Sequence, residues 1–512
     1  MNNQYLLGVD IGTSGSTGVL VDDELNVVES TSVSHGVSYP NPGWAEHDAD
    51  DVWWDDFVRI TRQILDDSAV QANQIAGIGV SGLAPAMVPL DASGEPIRPA
   101  ILYGVDTRSS EEIALLNDRI GERRIYEIAG NSLTFQSVGP KMLWYKRNEP
   151  DRFGRTDKVV DTTGYITYKL TGQYTLDNAT AGFFDPLYNP TELSWEAEMF
   201  EALGIPIDLL PETKWSTELA GRVTSEASDA TGLAEGTPVV AGAFDALTSL
   251  ISVGGIDNGS SVFIYGTTGV VYTTLDEERR TPELWCTPHC LEGKYAIGGG
   301  MATSGAITEW FIDEFGEALV ERGATGKARY ESLNRNAAEL PPGAEGTMVL
   351  PYFSGERTPI HDDSARGMIA GLTLSHTKHH VYRGILEAVG YGFRHHYETM
   401  VSAGVPIDET VLAIGGGAQS DLWRRIVSDV TGVTQEYVSN PIGSPLGSAF
   451  LAGLGTGVFG DPELLKQATS VAETTVPNPE AKATYDEYYS IYRSLYESSK
   501  EEIHRLAALE TS

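Results

Sequence analysis

An α/β protein is predicted by three features of this 512-residue chain. Apolar strands run repeatedly into glycine-rich turns, in DIGTSGSTG (Asp10 to Gly18), YGTTG (Tyr265 to Gly269) and IGGGAQSD (Ile414 to Asp421). Strand-like runs alternate with amphipathic helical ones along most of the length. The segment SSVFIYGTTGVVYTTLDEE repeats the order of the opening segment: apolar strand, Gly/Thr turn, apolar strand, acidic turn. An internal duplication follows from that repeat.

In chain order, YLLGVD reads as a strand ending at Asp10, and STGVLVDD and NVVESTSV as two more strands joined by a turn at Asp22 to Asn26. Asp48 or Asp50 caps a helix that starts near Val52, because Val52, Trp53, Phe57, Ile60 and Ile64 recur at helical spacing. GIGVSG (Gly77 to Gly82) matches the dinucleotide pattern GxGxxG, yet it lies inside the strand-like run IAGIGVS and is followed by a turn and a second strand. The fingerprint requires a helix there, so the segment is read as a strand. Residues 151 to 211 mix helices and loops, including FFDPLYNP, as an insertion around a substrate site does. PVVAGAF is a buried strand with a helix starting at Asp245, and Ser420 caps a helix burying Leu422, Trp423, Ile426, Val427 and Val430 that Gly432 ends. Beyond Gly460 the pattern is helical, acidic and peripheral.

Composition narrows the function. The 72 acidic residues against 35 basic ones leave a formal net charge of −37, which argues against nucleic-acid binding. The excess is spread along the chain as a solvated acidic shell of the halophile kind, where salt shrinks the Debye length to ~3 Å at 1 M. No apolar run approaches the ~18 residues that span a bilayer. The start, MNNQ leading into YLLGVD, has neither a basic region nor a cleavage site, so a cytoplasmic location is expected. Cys286, His289 and Cys290 in CTPHC have zinc-ligand chemistry, but a structural site takes four ligands from paired motifs, so ordinary thiols are expected. His379 and His380, and His395 and His396, are read as solvated or satisfied histidines.

The glycine turns carry the chemistry. Glycine lets a backbone approach a ligand closely, so a Gly/Thr/Ser turn between strands can aim several amides and hydroxyls at one phosphate. In the first turn these are the amides around Gly12 to Ser16 with the hydroxyls of Thr13 and Ser14; in the second they are Gly266, Thr267 and Thr268. A carboxylate beside a phosphate repels it unless a cation intervenes, so Asp10 is read as a residue of a Mg²⁺ shell, acting through water. GxxxxGK[ST] is absent, which excludes a P-loop.

Taken together, DIGTSGSTG, GAFD, YGTTG, SGERTP, GMIAGLTLSHTKHHVYRGILE and IGGGAQSDLWRRI resemble, in order and spacing, the FGGY carbohydrate kinases over residues 5 to 460. The resemblance implies two actin/hexokinase-like (ribonuclease H-like) domains around a central cleft, at 1 to 243 and 244 to 460, with a helical extension at 461 to 512. It implies ATP with Mg²⁺, and a small-molecule sugar as the partner rather than nucleic acid or membrane; a homodimer is compatible with it. Asp245 falls where the family has its general base and also touches substrate. Asp106 in YGVDTRS resembles the aspartate that binds sugar hydroxyls, Gly82, Ala84 and Pro85 the sugar-contacting strand end, and Gly415, Gly416, Gly417 and Ser420 the adenosine turn, with Gly300 and Gly305 on the same wall. Two departures stand out: Ala84 and Pro85 replace the Met-His common in members acting on xylulose, and Thr17 stands where many members carry Lys or Arg. Trp44 and Glu46 are read as loop anchors, and Arg357 as a hinge or ion-pair residue. The expected activity is phosphorylation of a ketopentose, xylulose first, with ribulose, another ketose, glycerol or a signalling polyol as alternatives. An actin- or chaperone-like ATPase is the reading from a different class.

Overall fold

Tyr5–Ile11 (β1), Gly15–Asp22 (β2) and Val27–Ser34 (β3) form an antiparallel meander in a computed structural model that describes residues 4–316, 328–439 and 442–510. The Asp22 carboxylate closes the second turn by accepting the Glu24 and Asn26 amides, each at 2.9 Å. Asp48 is the cap expected on the following helix: it accepts the Asp50 and Asp51 amides above a wide turn at Ala49–Trp54 that leads into α1, Asp55–Asp67. Phe57, Ile60 and Ile64 of α1 are buried with Trp53 in the core that β1 and β2 also line.

Ile75–Gly82 (β4) runs parallel to β1, so GIGVSG lies within a strand. Its glycines admit a helix at close range: a Cβ at Gly79 would lie 1.9 Å from the Ser448 carbonyl of the helix Ser444–Thr456. Leu219–Arg222 (β5), Pro238–Val240 (β6) and Ala243–Phe244 (β7) complete the sheet, in the order β5-β6-β4-β1-β2-β3 with β7 also paired to β4. Asp245–Ser252 (α2) starts at the expected residue.

The second sheet repeats the opening device. Ser261–Tyr265 (β8) and Gly269–Leu275 (β9) form an antiparallel hairpin. Gly305–Phe315 (α3) and Lys378–Ser402 (α4) precede Thr410–Ile414 (β10), which pairs parallel with β8 as β4 does with β1. Asp421–Thr431 (α5) is capped by Ser420, whose hydroxyl accepts the Trp423 amide, and ends at Gly432 with φ +77°. Leu422 is only half-buried; Arg424 takes the inward place, paired with Glu473 and donating to the Ala418 carbonyl. Thr434–Val438 (β11) and Val471–Thr475 (β12) extend the path β9-β8-β10-β11-β12, so the stretch after Gly460 contributes a strand before its helix Pro479–Glu510.

The chain divides into two compact units. The first comprises Met1–Asp257, Thr274–Ile297 and Asn440–Thr469, the second Asn258–Thr273, Gly298–Ser439 and Ser470–Ser512. The helix Ser444–Thr456 packs on β1, β4 and α2 although in sequence it lies between β11 and β12 of the second sheet. Among the described residues, no helix is long and apolar enough to cross a membrane.

Candidate active site

Strand register brings the first set of residues together. Asp10 pairs with Ser81 across β1 and β4, and Ser81 with Ala243 across β4 and β7. Ile11, Gly82 and Phe244 make the next row, so three strands end at one edge of the first unit. From there the chain enters the Gly12 to Gly15 loop, the Leu83 to Pro85 segment and Asp245. Ligands collect at such carboxyl ends of parallel strands. The Leu83 amide donates to the Ile11 carbonyl at 2.8 Å, and Thr162 Oγ1 to the Leu83 carbonyl at 2.9 Å. At Asp245 the backbone carbonyl accepts Ser444 Oγ and Thr248 Oγ1, both at 3.0 Å, which fixes the first turn of α2.

Asp10 is poorly compensated. Ser81 Oγ donates to Asp10 Oδ1 at 2.7 Å, yet burial outweighs that bond and pushes the carboxyl up to about 6. A carboxylate held this way fits a cation, because positive charge would offset the desolvation of the ionised form. Thr17 is on the same row as Asp10 and has its hydroxyl 3.0 Å from Ser32 Oγ.

Three residues not singled out from the sequence join this site. Tyr103 OH lies 3.1 Å from Thr13 Oγ1 of the loop. Gln136 donates to the Ala84 carbonyl at 3.2 Å and accepts the Gly104 amide at 3.1 Å, tying the segment after β4 to the one after Tyr103. Lys141 anchors the same segment from beneath, donating to the carbonyls of Leu102 at 2.5 Å and Tyr103 at 2.8 Å; burial pushes its ammonium down to about 7. Tyr103 lies inside the quoted YGVDTRS, but neither Gln136 nor Lys141 has a local signature.

Asp106 is engaged differently from the expectation that it binds sugar. It is 0% exposed, with both oxygens accepting from Arg108 and Oδ2 also from the Ala45 amide at 2.7 Å. Arg108 in turn pairs with Glu46 at 2.8 Å and lies 3.9 Å over the Trp44 ring, so Trp44 and Glu46 anchor their loop as read. The Asp106 carboxylate is thus buried and paired with Arg108.

The second unit holds a cavity of about 520 Å³ between the turn after β8, the start of α3 and the turn after β10. Gly266, Thr267, Gly305, Gly416, Gly417 and Ser420 line it together with Tyr330, Glu331 and Asn334, whose Nδ2 donates to Ser420 Oγ at 3.2 Å. Its size suits a nucleoside. The carbonyls of Gly266 and Thr267 accept the amides of Gly305, Ser304 and Ala306 at 2.9 to 3.1 Å, which joins the turn to the start of α3. Thr268 and Gly415 serve the backbone instead: Thr268 O accepts the Gly266 amide, and at Gly415, φ +98°, a Cβ would lie 2.7 Å from the Tyr265 carbonyl. Gly300 makes room for Arg357, whose Nη2 donates to the Met301 carbonyl at 2.8 Å.

Of the paired histidines, His380 and His396 have hydrogen-bond partners, whereas among the described residues His379 Nδ1 has none. His396 Nε2 lies 2.8 Å from Thr358 Oγ1. Glu345, His376 and His380 bring three ligand atoms within 4.8 Å. However, Nδ1 of His376 and of His380 accepts a backbone amide, from Thr373 at 2.9 Å and Thr377 at 3.1 Å. Each proton therefore sits on Nε2, directed at Glu345, where a metal would need a lone pair. Cys286 and Cys290 are buried free thiols.

Comparison with known proteins assigns this arrangement to a class of phosphotransferases. The N-terminal domain of the FGGY family of carbohydrate kinases matches residues 5–252, and its C-terminal domain matches residues 261–456. The chain belongs to the FGGY family of carbohydrate kinases. It is 29% identical to the xylulose kinase of Escherichia coli (strain K12) over 496 residues, covering 96% of this chain and 98% of that one. The xylulose kinase of Staphylococcus epidermidis (strain RP62A) is 30% identical over 505 residues, with 98% of each chain covered. Among solved structures, xylulose kinase from Rhodospirillum rubrum superposes with a TM-score of 0.87 at 31% identity, covering 98% of this chain and 100% of that one. The fold is accordingly the actin/hexokinase-like α/β fold of these kinases.

Proposed function

We propose that this carbohydrate kinase transfers the γ-phosphoryl group of Mg·ATP to a hydroxyl of a ketopentose, xylulose first. The observation that carries the reading is the register that brings Asp10, the Gly12 to Gly15 loop, Gly82 to Pro85 and Asp245 to one edge of the first unit. The full-length similarity to xylulose kinases supports the choice of sugar. In this reading Asp245 accepts the proton of the attacking hydroxyl as its oxygen forms a bond to the γ-phosphorus and the bond to the β-phosphate oxygen breaks. The N-terminal position of Asp245 on α2 favours its ionised form. Thr13 and Ser14 with the loop amides receive phosphate oxygens. Asp10 is the residue that would hold Mg²⁺ through water, and the cation when bound neutralises phosphate charge. The cavity lined by Gly266, Thr267, Gly305, Gly416, Gly417 and Ser420 takes the adenosine end, where absent side chains leave room for a flat base.

Ala84 and Pro85 keep other ketoses and polyols in the test. A coupled ADP-release assay over xylulose, ribulose, other ketoses, gluconate and glycerol, at low and molar salt, is expected to show release that depends on one ketopentose above the rest. Equal release with and without every sugar would sink the proposal and favour a sugar-independent ATPase.

A further inference from the structure

The loop between β1 and β2 has an unusual support. Gly12 N–H closes the turn on the Gly15 carbonyl at 3.1 Å, while the Gly12 carbonyl, which in a tight turn ordinarily accepts the amide three residues on, accepts from His35 Nε2 at 3.0 Å. The His35 backbone amide donates to the Ser14 carbonyl at 3.1 Å. On the other side of the ring, His35 Nδ1 lies 2.7 Å from Asp56 Oδ2, which also accepts Ser16 Oγ at 2.8 Å. Both ring nitrogens therefore face oxygen atoms, and Nε2 donates, since a carbonyl oxygen can only accept. The His35 and Asp56 side chains are 7% and 4% exposed, so water does not compete for these bonds. His47 stands edge-on to His35 at 5.1 Å, and burial together with His35 pushes its imidazole down to about 4.

A trans peptide is planar, with its C=O and N–H pointing in opposite directions. Drawing the Gly12 carbonyl back to His35 turns the Thr13 amide the other way. The bond from the His35 amide to the Ser14 carbonyl does the same for the Gly15 amide. We infer that His35, oriented by Asp56, is a positioning residue that presents the Thr13 and Gly15 amides of this loop to the transferred phosphate. The inference deepens the proposed kinase reading and rests on it. It also answers the departure at Thr17: without a basic side chain there, phosphate recognition falls more heavily on amide dipoles, whose aim then matters more.

The test compares His35→Phe, His35→Gln and the double variant His35→Phe/Asp56→Leu, using MgATP and the sugar that wild type accepts. Phe fills the ring's space without donating; Gln retains an N–H for the Gly12 carbonyl. The double variant removes the acid with its partner, so no buried charge is left alone if the single variant fails to fold. His35→Phe and the double variant are expected to lose ~10-fold or more in kcat, with the sugar KM within ~2-fold of wild type, and His35→Gln to recover most of the loss. A folded Phe or double variant with wild-type kcat, a loss shared fully by Gln, or a loss confined to the sugar KM overturns the inference. Wild-type protein without sugar-dependent ADP release overturns the functional reading itself, and the inference with it.

Discussion

Ser81 donates its hydroxyl to Asp10 Oδ1 at 2.7 Å across two parallel strands whose register sets the residues side by side. That single bond does not offset burial, so Asp10 titrates near 6 instead of at its ordinary 3.8. A folded-state pKa above the unfolded one means that the ionised carboxylate opposes folding, and increasingly so as pH rises from about 4 to 6. Asp10→Asn keeps an acceptor for Ser81 and loses the charge. It should therefore melt higher than wild type at pH 8, by about 1–3 kcal/mol after solvent screening, with the difference vanishing near pH 4, while sugar-dependent turnover falls. Thermal melts at both pH values check the sign.

Asp245→Asn should leave nucleotide binding nearly intact and lower kcat by ~10² or more, as loss of a general base does. Calorimetric ATP titration alongside steady-state kinetics separates the two. Unchanged turnover would remove Asp245 from the proton-accepting role.

Gly416 has ordinary helical backbone angles, φ −60° and ψ −42°, and a Cβ there meets nothing within 4 Å. It also lines the cavity of the second unit. Gly416→Leu is thus expected to fold with an unaltered melting temperature but to weaken ATP binding ~10-fold or more by occupying the space proposed for adenosine. Wild-type affinity in this variant would place the nucleoside elsewhere.

Asp106→Asn separates anchoring from sugar binding. The bidentate pair with Arg108 is fully buried, so neutralising one partner should cost up to about 3–5 kcal/mol of stability, seen as a lower urea midpoint, with the sugar KM unchanged at a temperature where the variant is folded. A raised KM at unaltered stability would instead return Asp106 to the sugar.

Asp185 is enclosed, and burial pushes its carboxyl up to about 8 despite hydrogen bonds from Asn131 and Ser137. Its protonated form is the one that folding favours, so its contribution declines as pH rises from about 4 through 8. Asp185→Asn should flatten the pH dependence of the melting temperature and exceed wild type at pH 9. A pH series of melts that runs parallel for the two proteins would contradict this.

Much of this layout was legible along the chain because it rests on short-range rules. The strand before Asp10, the cap at Ser420 and the helix start at Asp245 depend on neighbours within about one turn, where propensity and capping operate. GIGVSG was readable as a strand from its flanks, although the reason for its glycines, the close passage of the helix Ser444–Thr456, was not. The motif order likewise located the glycine turns that follow β1, β8 and β10.

Partners distant in sequence had no such signature. Thr13 and Tyr103 are 90 positions apart, Ala84 and Gln136 are 52 apart, and Gly12 and His35 are 23 apart. Residue type alone located the acids and the glycine turns. Only the folded chain settled that Asp106 is spent on Arg108, that Tyr103 reaches the loop and that His35 holds the Gly12 carbonyl. Such bonds form where separate strands and helices converge, and a hydrogen bond between converging elements leaves no periodicity in either of them to be read in advance.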